Sequence, residues 1–354
     1  MKKALIFDPY LDTLGGGERY SLTFALALIK EGFIVEMAWP SRKHLEAAEK
    51  RFGLDLSALS LNPDAYRFCN HKTSIVQRFF FTSQYDLIFW VSDGSLPFLF
   101  GKNNLVHFQV PFKNIGGSQL INKIKTKFIS KFVYNSRFTR NVHEKHFPKE
   151  KSFVLYPPID TESFLPGKKE NIILSVARFD SPSHSKRQDI LIDAFRELKE
   201  KVKGYRLVLV GGLIGSDEII TKLKDQARGL PAEFIINPQF NELKSLYAKS
   251  KFFWHAAGFD INEKEDPEKV EHFGMTTVEA MASGDIPVVI AKGGQKEIIT
   301  ADTGVLCTSP QEISQATVRL ITDVLAYTKM ANRVTARAKL FSTTHFYKKI
   351  KKLL

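Results

Sequence analysis

With 354 residues, 44% of them hydrophobic, the chain is long enough to bury two cores, and its composition excludes disorder and a fibrous repeat. Two distant cysteines, Cys69 and Cys307, fit neither a disulfide framework nor a metal-ligand spacing and predict a reducing compartment. The net charge of +13 admits an anionic ligand or an anionic membrane surface; no zinc-finger, RNA-binding-sheet or basic-zipper pattern accompanies it, so no nucleic-acid partner is expected. No apolar run is long enough to span a membrane. Met1 to Tyr10, with a short apolar core ending at Asp8, reads as a first strand and not as a signal peptide.

In chain order, the strand Ala4–Phe7 is followed by Gly15, Gly16 and Gly17 and then by a helical run from Tyr20 to Ile29. Strand, glycine turn and helix form the phosphate-side corner of a nucleotide-binding α/β unit, and the glycines allow positive φ and close backbone approach. The pattern is not G-x-G-x-x-G, and no acidic residue follows the second strand, Phe33–Ala38, which weakens a dinucleotide reading. A helix over Ser41–Phe52 precedes strands at Asp86–Val91 and Asn104–Phe108. A basic amphipathic helix spans Gln119–Ile129, and a strand at Phe132–Tyr134 leads to a helix capped by Ser136. Pro157 to Lys169, with three prolines and a glycine, reads as a hinge.

Beyond it the alternation restarts. Strands are expected at Ile172–Val176, Arg206–Val210, Glu233–Ile236, Phe252–Trp254, Ile286–Ile290 and Gly304–Cys307, with helices at Gln188–Lys199, Glu218–Ala227, Asn241–Ala248, Gln295–Thr300 and Ile313–Leu325. The tail from Met330 is helical and basic. Repeated strand–helix units predict parallel sheets in two successive domains, with ligands beyond the carboxyl ends of the strands.

Residues 271 to 284 concentrate the chemistry. Glu271 precedes a short helix, Glu279 lies within it beside Val278, Ala280 and Met281, and Gly284 stops it. The helix N-terminus offers unpaired N–H groups and partial positive charge to an anion. Glu279 is expected to be semi-buried, where a ribose diol would supply hydrogen-bond donors. Other strand-end candidates are His107, Arg178, Lys186, Gly211, Gly212, Gly293 and Gly294. Two cations near a helix start can neutralise a diphosphate without metal.

These residues give the chain a resemblance, along nearly its whole length, to the retaining GT-B glycosyltransferases of glycosyltransferase family 4. It rests on Gly15-Gly16-Gly17-Glu18-Arg19, on Ser175 to Asp180 with Lys186 and Ile190 to Phe195, on Glu271, Phe273, Gly274 and Glu279 to Gly284, and on Pro287 to Val289 with Gly293, Gly294 and Glu297. Within the family it looks most like mannosyltransferases of lipid-linked oligosaccharide assembly. The resemblance implies an α/β GT-B architecture of two Rossmann-like domains with parallel sheets facing across a cleft. An acceptor-side domain is expected over 1–160, a nucleotide-sugar domain over 161–330, and a helical tail over 331–354 packing back toward the first domain.

By position, the resemblance gives Arg178, Lys186, Gly16 and Gly17 to the diphosphate and Glu279 to the ribose. Glu271 is given to the donor sugar, and Phe273, Gly274, Met275 and Thr276 to backbone contacts with sugar and phosphate. His107 is placed beside the anomeric carbon. It implies hexose transfer from a nucleotide sugar, GDP-mannose or alternatively a UDP-sugar, to a glycan or lipid-linked acceptor, with no cofactor and no metal. A cytoplasmic protein, peripheral on the inner face of a membrane, is expected. A nucleotide-sugar-binding protein without turnover is the rival reading; a Rossmann-type oxidoreductase fits less well.

Two stretches fall outside these roles. Ala256 to Val270, rich in Asp, Glu and Lys, intervenes before Glu271 and reads as a solvated insertion more readily than as a lid. Between Lys113 and Lys131, apolar Ile115, Leu120, Ile121, Ile124, Phe128 and Ile129 interleave with lysines. That pattern suits a helix lying on an anionic membrane or a core helix with a solvated basic face.

Overall fold

The computed structural model describes residues 1–70, 73–179, 186–213 and 217–354. The chain forms two compact units: Met1–Pro158 together with Phe346–Leu354, and Ile159–His345. The expected tail from residue 331 is therefore divided, its last nine residues belonging to the first unit.

The first unit runs β1 (Lys2–Phe7), α1 (Gly16–Lys30), β2 (Phe33–Met37), α2 (Arg42–Phe52), β3 (Ser60–Leu61), α3 (Pro63–Asn70), α4 (Ile75–Thr82), β4 (Leu87–Val91), β5 (Asn103–Phe108), α5 (Gln119–Phe128), β6 (Lys131–Tyr134), α6 (Arg137–His143) and β7 (Ser152–Val154). Its sheet has the order β3-β2-β1-β4-β5-β6-β7, with every pairing parallel. The run Leu87–Val91 is buried throughout, as a central parallel strand covered on both faces must be. One face packs Tyr20, Phe24 and Leu28 of α1 against Phe89 and Leu105; the other packs Ile88, Val106, Phe108 and Phe132 with Phe147. Ser41 and Ser136 cap their helices by accepting from Lys43 N and Thr139 N.

The second unit runs β8 (Ile172–Val176), α7 (Gln188–Lys201), β9 (Arg206–Gly211), α8 (Glu218–Gln226), β10 (Ala232–Ile236), α9 (Phe240–Lys249), β11 (Phe252–His255), α10 (Met275–Ala282), β12 (Ile286–Ile290), α11 (Gln295–Ile298), β13 (Val305–Cys307), α12 (Pro310–Thr322) and α13 (Val324–Ala338); α14 (Thr343–Ile350) ends in the first unit. Its sheet order is β10-β9-β8-β11-β12-β13, again all parallel. Trp254 is fully buried in the core and still satisfies its indole N–H, which donates to Thr317 Oγ1 at 3.0 Å.

Both sheets reverse their winding between two neighbouring strands, β1 and β4 in the first and β8 and β11 in the second. At such a switch point the loops leaving the two strands turn to opposite faces and open a crevice at the carboxyl ends.

Candidate active site

In the second unit, Ala177 and Arg178 leave β8, and the described chain resumes at Lys186; Asp180 of the Ser175–Asp180 motif lies outside the described residues. Arg178 is exposed. Its carbonyl accepts from Gln188 Nε2 at 3.0 Å, which ties the exit of β8 to the first residue of α7. A Cβ at Gly211 would lie 1.9 Å from the Ala177 carbonyl oxygen, so the exit of β9 meets that of β8 at a distance only glycine permits.

Lys186 does not stand alone. Its Nζ lies 2.9 Å from Glu271 Oε2. On the same oxygen, at 3.2 Å, sits Nε2 of His255, the last residue of β11. The His255 Nδ1 accepts from Ala257 N at 3.4 Å, which leaves the ring proton on Nε2, donating to Glu271. Burial pulls the Glu271 carboxyl upward most strongly, but Lys186 and His255 outweigh it and hold the group well below the usual carboxylate range. Glu271 is thus a partly buried carboxylate held in its ionised form beside the β8–β11 switch point. A ligand carrying hydroxyls would find a strong acceptor there, and a lysine ammonium has three protons, of which Glu271 takes one.

The polypeptide then enters α10 through Gly274, whose φ of 113° and whose contact with Gln295, 2.8 Å from a Cβ to Nε2, both require glycine. Gln295 is fully buried; its Nε2 donates to Thr277 Oγ1 at 2.9 Å, bracing the first turn. The amides of Met275 and Thr276 open that turn, with no carbonyl of the helix itself to bond. Gly293 and Gly294 pack on the other side: Gly294 N donates to the Glu271 carbonyl at 2.8 Å, and a Cβ on Gly293 would lie 2.0 Å from that oxygen. The glycine pair thereby fixes the backbone of Glu271 to Phe273.

Glu279, one turn into α10, is buried and not semi-buried, because α9 covers it. Tyr247 of α9, itself fully buried, donates its hydroxyl to Glu279 Oε2 at 3.2 Å. The protein thus supplies one donor that the sequence assigned to a ligand. Tyr247 and His255 are the two residues sequence reasoning missed. His255 had a signal, its position at the carboxyl end of a buried strand; Tyr247 had none.

The insertion before Glu271 is solvated only in part: Asp260, Lys264, Glu265 and Lys269 are exposed, but the segment is anchored. Ala256, Ala257, Pro267 and Val270 are buried, and Glu263 accepts from Gly293 N at 2.9 Å while pairing with Lys296. One carboxylate anchored on a loop amide turns this acidic segment into a strap over the Gly293 turn.

In the first unit, Gly15 to Gly17 do not form a positive-φ turn. Gly15 is the N-cap, with φ −96°, and Gly16 and Gly17 are the first residues of α1. Gln109 packs closely over the turn: a Cβ on Gly17 would lie 2.0 Å from Gln109 Oε1 and would push that side chain aside. Glu18 reaches back to accept from Gly15 N. Beneath lies Asp8, fully buried, accepting from Tyr10 N at 3.1 Å; burial, reinforced by the charge of Glu18, pushes its carboxyl up to about 7.

His107 departs from its expected place beside a sugar. The alternation of β5 turns it into the core, where it is fully buried, stacks on Tyr20 at 4.3 Å and lies 5.3 Å from the Phe89 ring. Its Nδ1 donates to the Val133 carbonyl at 3.1 Å, and burial holds the ring neutral by lowering its pKa to about 3. A ring so enclosed gives no surface to a substrate. Among the described residues, no group of three or more His, Cys, Asp or Glu side chains is placed to hold a metal, and no helix is long and apolar enough to cross a membrane.

Two Rossmann-like, all-parallel units with ionised groups at a switch point define an α/β fold of the GT-B type. Residues 158–341 match the family described as Glycosyl transferases group 1, just over half the chain, and the protein belongs to that family. It is 26% identical over 235 residues to the GDP-Man:Man(3)GlcNAc(2)-PP-Dol alpha-1,2-mannosyltransferase of Dictyostelium discoideum, covering 60% of this chain and 44% of that one. To the Xenopus laevis protein of the same name it is 31% identical over 160 residues, covering 42% and 31%. The chain thus spans less than half the length of these curated relatives. Among solved structures, a glycosyltransferase from Rickettsia africae ESF-5 superposes with a TM-score of 0.77 at 16% identity, covering 99% of this chain and 97% of that one. Anabaena Alr3699/HepE in complex with UDP superposes at 0.74 and 17%, covering 99% of both. At these identities the two show the fold.

Proposed function

We propose that the protein is a retaining hexosyltransferase that moves mannose from GDP-mannose to a glycan or lipid-linked acceptor without a metal. The observation that carries this reading is the ionised Glu271, held by Lys186 and His255 beside the N-terminus of α10. One carboxylate to accept from sugar hydroxyls, cations for a diphosphate and a second carboxylate, Glu279, for a ribose are the functional groups a sugar nucleotide needs. The mannosyltransferase names of the curated relatives support the choice of sugar and donor.

In this reaction the bond between the anomeric carbon and the diphosphate oxygen breaks, and a bond to the acceptor oxygen forms on the same face. Positive charge develops on the sugar and negative charge on the departing phosphate. Lys186, Arg178 and the amides of Met275 and Thr276 take up the negative charge. Glu271 orients the sugar through its hydroxyls. The departing phosphate oxygen accepts the acceptor's proton, so no separate base is required. Lipid-linked acceptors would bring the protein to the inner face of a membrane.

Donor hydrolysis measured with radiolabelled GDP- and UDP-sugars tests the reading. GDP-mannose is expected to be turned over fastest, with nucleotide binding weakened in both Glu279→Ala and Arg178→Ala. Unchanged affinity in both variants contradicts the site; faster turnover of a UDP-sugar contradicts the donor; binding without turnover leaves a sugar-nucleotide-binding protein.

A further inference from the structure

The first unit carries a surface for which donor chemistry has no use. Although α5 is amphipathic in sequence, it contains no buried residue, so it is not a core helix. Leu120, Ile121, Ile124 and Phe128 stand on one face, with Leu120 70% exposed. The helix α4, unread from sequence, does the same with Ile75, Val76, Phe79 and Phe80, the last 66% exposed. Two half-buried rings join the helices: Phe100 lies 5.4 Å from Phe79 and 4.9 Å from Phe128, and Phe98 lies 6.4 Å from Phe128. Eight large apolar side chains therefore form one exposed surface, more than scattered surface residues account for.

The charge on the helices and their joining loop has one sign, although Lys102 pairs with Asp86 and Arg140 with Glu144 beyond them. Residues 65–85 and 94–143, which supply both helices and the joining loop, contain no Asp or Glu; the second stretch holds eight basic residues, Lys102, Lys113, Lys123, Lys125, Lys127, Lys131, Arg137 and Arg140. On α5, Lys123 and Lys127 flank one side of the apolar stripe. Lys125 flanks the other, with its ammonium 5.3 Å from the Phe98 ring centre and donating to the Leu96 carbonyl. Apolar side chains bordered on both sides by lysine are the pattern of a helix lying in a lipid interface. A second copy of the same face would set lysine against lysine.

We infer that the face formed by α4, residues 96–100 and α5 docks on an anionic phospholipid bilayer. Phe79, Phe80, Leu120 and Phe128 enter the acyl boundary, and Lys123 and Lys127 meet lipid phosphates. The inference rests on the proposed lipid-linked acceptor for its purpose, and on the surface alone for its evidence.

Flotation with vesicles of phosphatidylcholine alone, and of phosphatidylcholine mixed with phosphatidylglycerol, tests it on the full chain. The protein is expected to float with the anionic vesicles and to remain in solution with the neutral ones. Each lysine near an anionic leaflet contributes roughly fivefold, so Lys123→Gln with Lys127→Gln is expected to lower partitioning about thirtyfold. Phe80→Ser with Leu120→Ser is expected to abolish it. Thermal unfolding and GDP-mannose hydrolysis in solution should be unchanged in both double variants. Absence of wild-type flotation, or flotation equal in wild type and variants, overturns the inference. So does a wild-type dimer, seen by sedimentation, that the Phe80→Ser, Leu120→Ser variant loses while neither protein floats. Flotation without any donor hydrolysis would leave the surface standing and sink the proposed activity.

Discussion

The same corner of a Rossmann-like unit, the loop from the first strand to the first helix, is built with opposite charge in the two halves. In the first unit it presents Asp8 and Glu18; in the second it presents Arg178, Lys186 and Arg187. Each acidic group takes its state from that difference. Asp8 has a second carboxylate as its charged neighbour, and burial pushes it up to about 7. Glu271, less enclosed, has Lys186 and His255 and stays ionised well below the usual range. Burial favours the neutral carboxyl in both cases, and a cation at hydrogen-bond distance reverses the outcome in one. For the proposed donor, the second corner supplies the positive charge that a diphosphate needs, through Arg178 and Lys186.

The largest effect that would sharpen this contrast is on stability. The folded protein holds the Asp8 proton up to about pH 7, whereas the unfolded chain releases it near 3.8. The stability this group contributes is therefore full below 3.8 and is lost as pH rises through about 7. Between pH 5 and pH 8 the loss amounts to about 3 kcal/mol. Urea melts at the two pH values should show Asp8→Asn free of that loss; identical pH dependence in variant and wild type would break the contrast.

Next in size is Lys186→Ala. Removing one donor to charge developing on a leaving group costs roughly a hundredfold or more in turnover. Steady-state hydrolysis of GDP-mannose should show this loss in kcat, and a wild-type kcat would mean that Lys186 serves Glu271 alone. Smallest is Tyr247→Phe, which removes one hydrogen bond to Glu279 and leaves the ring. Donor affinity should fall about tenfold, the scale of a bond to a charged group, with thermal stability nearly unchanged. An affinity loss that tracks a fall in melting temperature would instead make Tyr247 a packing residue.

Much of the fold could be read from the chain because its central strands are buried on both faces. Leu87–Val91 and Ile286–Ile290 are continuous apolar runs, and Ile172–Val176 is one but for the buried Ser175, the pattern a covered parallel strand requires. The stretch from Gly53 to Tyr85 resisted reading for the opposite reason: α4 turns its apolar residues outward, so their spacing does not report a core. Glu271 and Glu279 were legible as carboxylates flanking a helix start. Their partners were not, since Lys186 lies 85 residues before Glu271 and Tyr247 lies 32 before Glu279. Sequence marks where a charge is, while only the packing of β8 against β11 and of α9 against α10 shows what neutralises it. His107 makes the converse point. Its place near a strand end suggested a ring beside the sugar, yet β5 alternation and Tyr20 enclose it and its Nδ1 is tied to the Val133 carbonyl.

In the proposed reaction the Lys186–Glu271 pair is a binding device for a sugar nucleotide and more than a strut. Exchanging the two, Lys186→Glu with Glu271→Lys, keeps an ion pair in the same place, whereas Lys186→Ala alone leaves a buried charge at a cost of about 3 kcal/mol. Calorimetric titration of GDP-mannose into the exchanged protein is the most direct measurement. Because His255 loses its acceptor, the expected melting temperature lies between those of Lys186→Ala and wild type, with donor binding lost; wild-type affinity for the donor in the exchanged protein would contradict the proposed site.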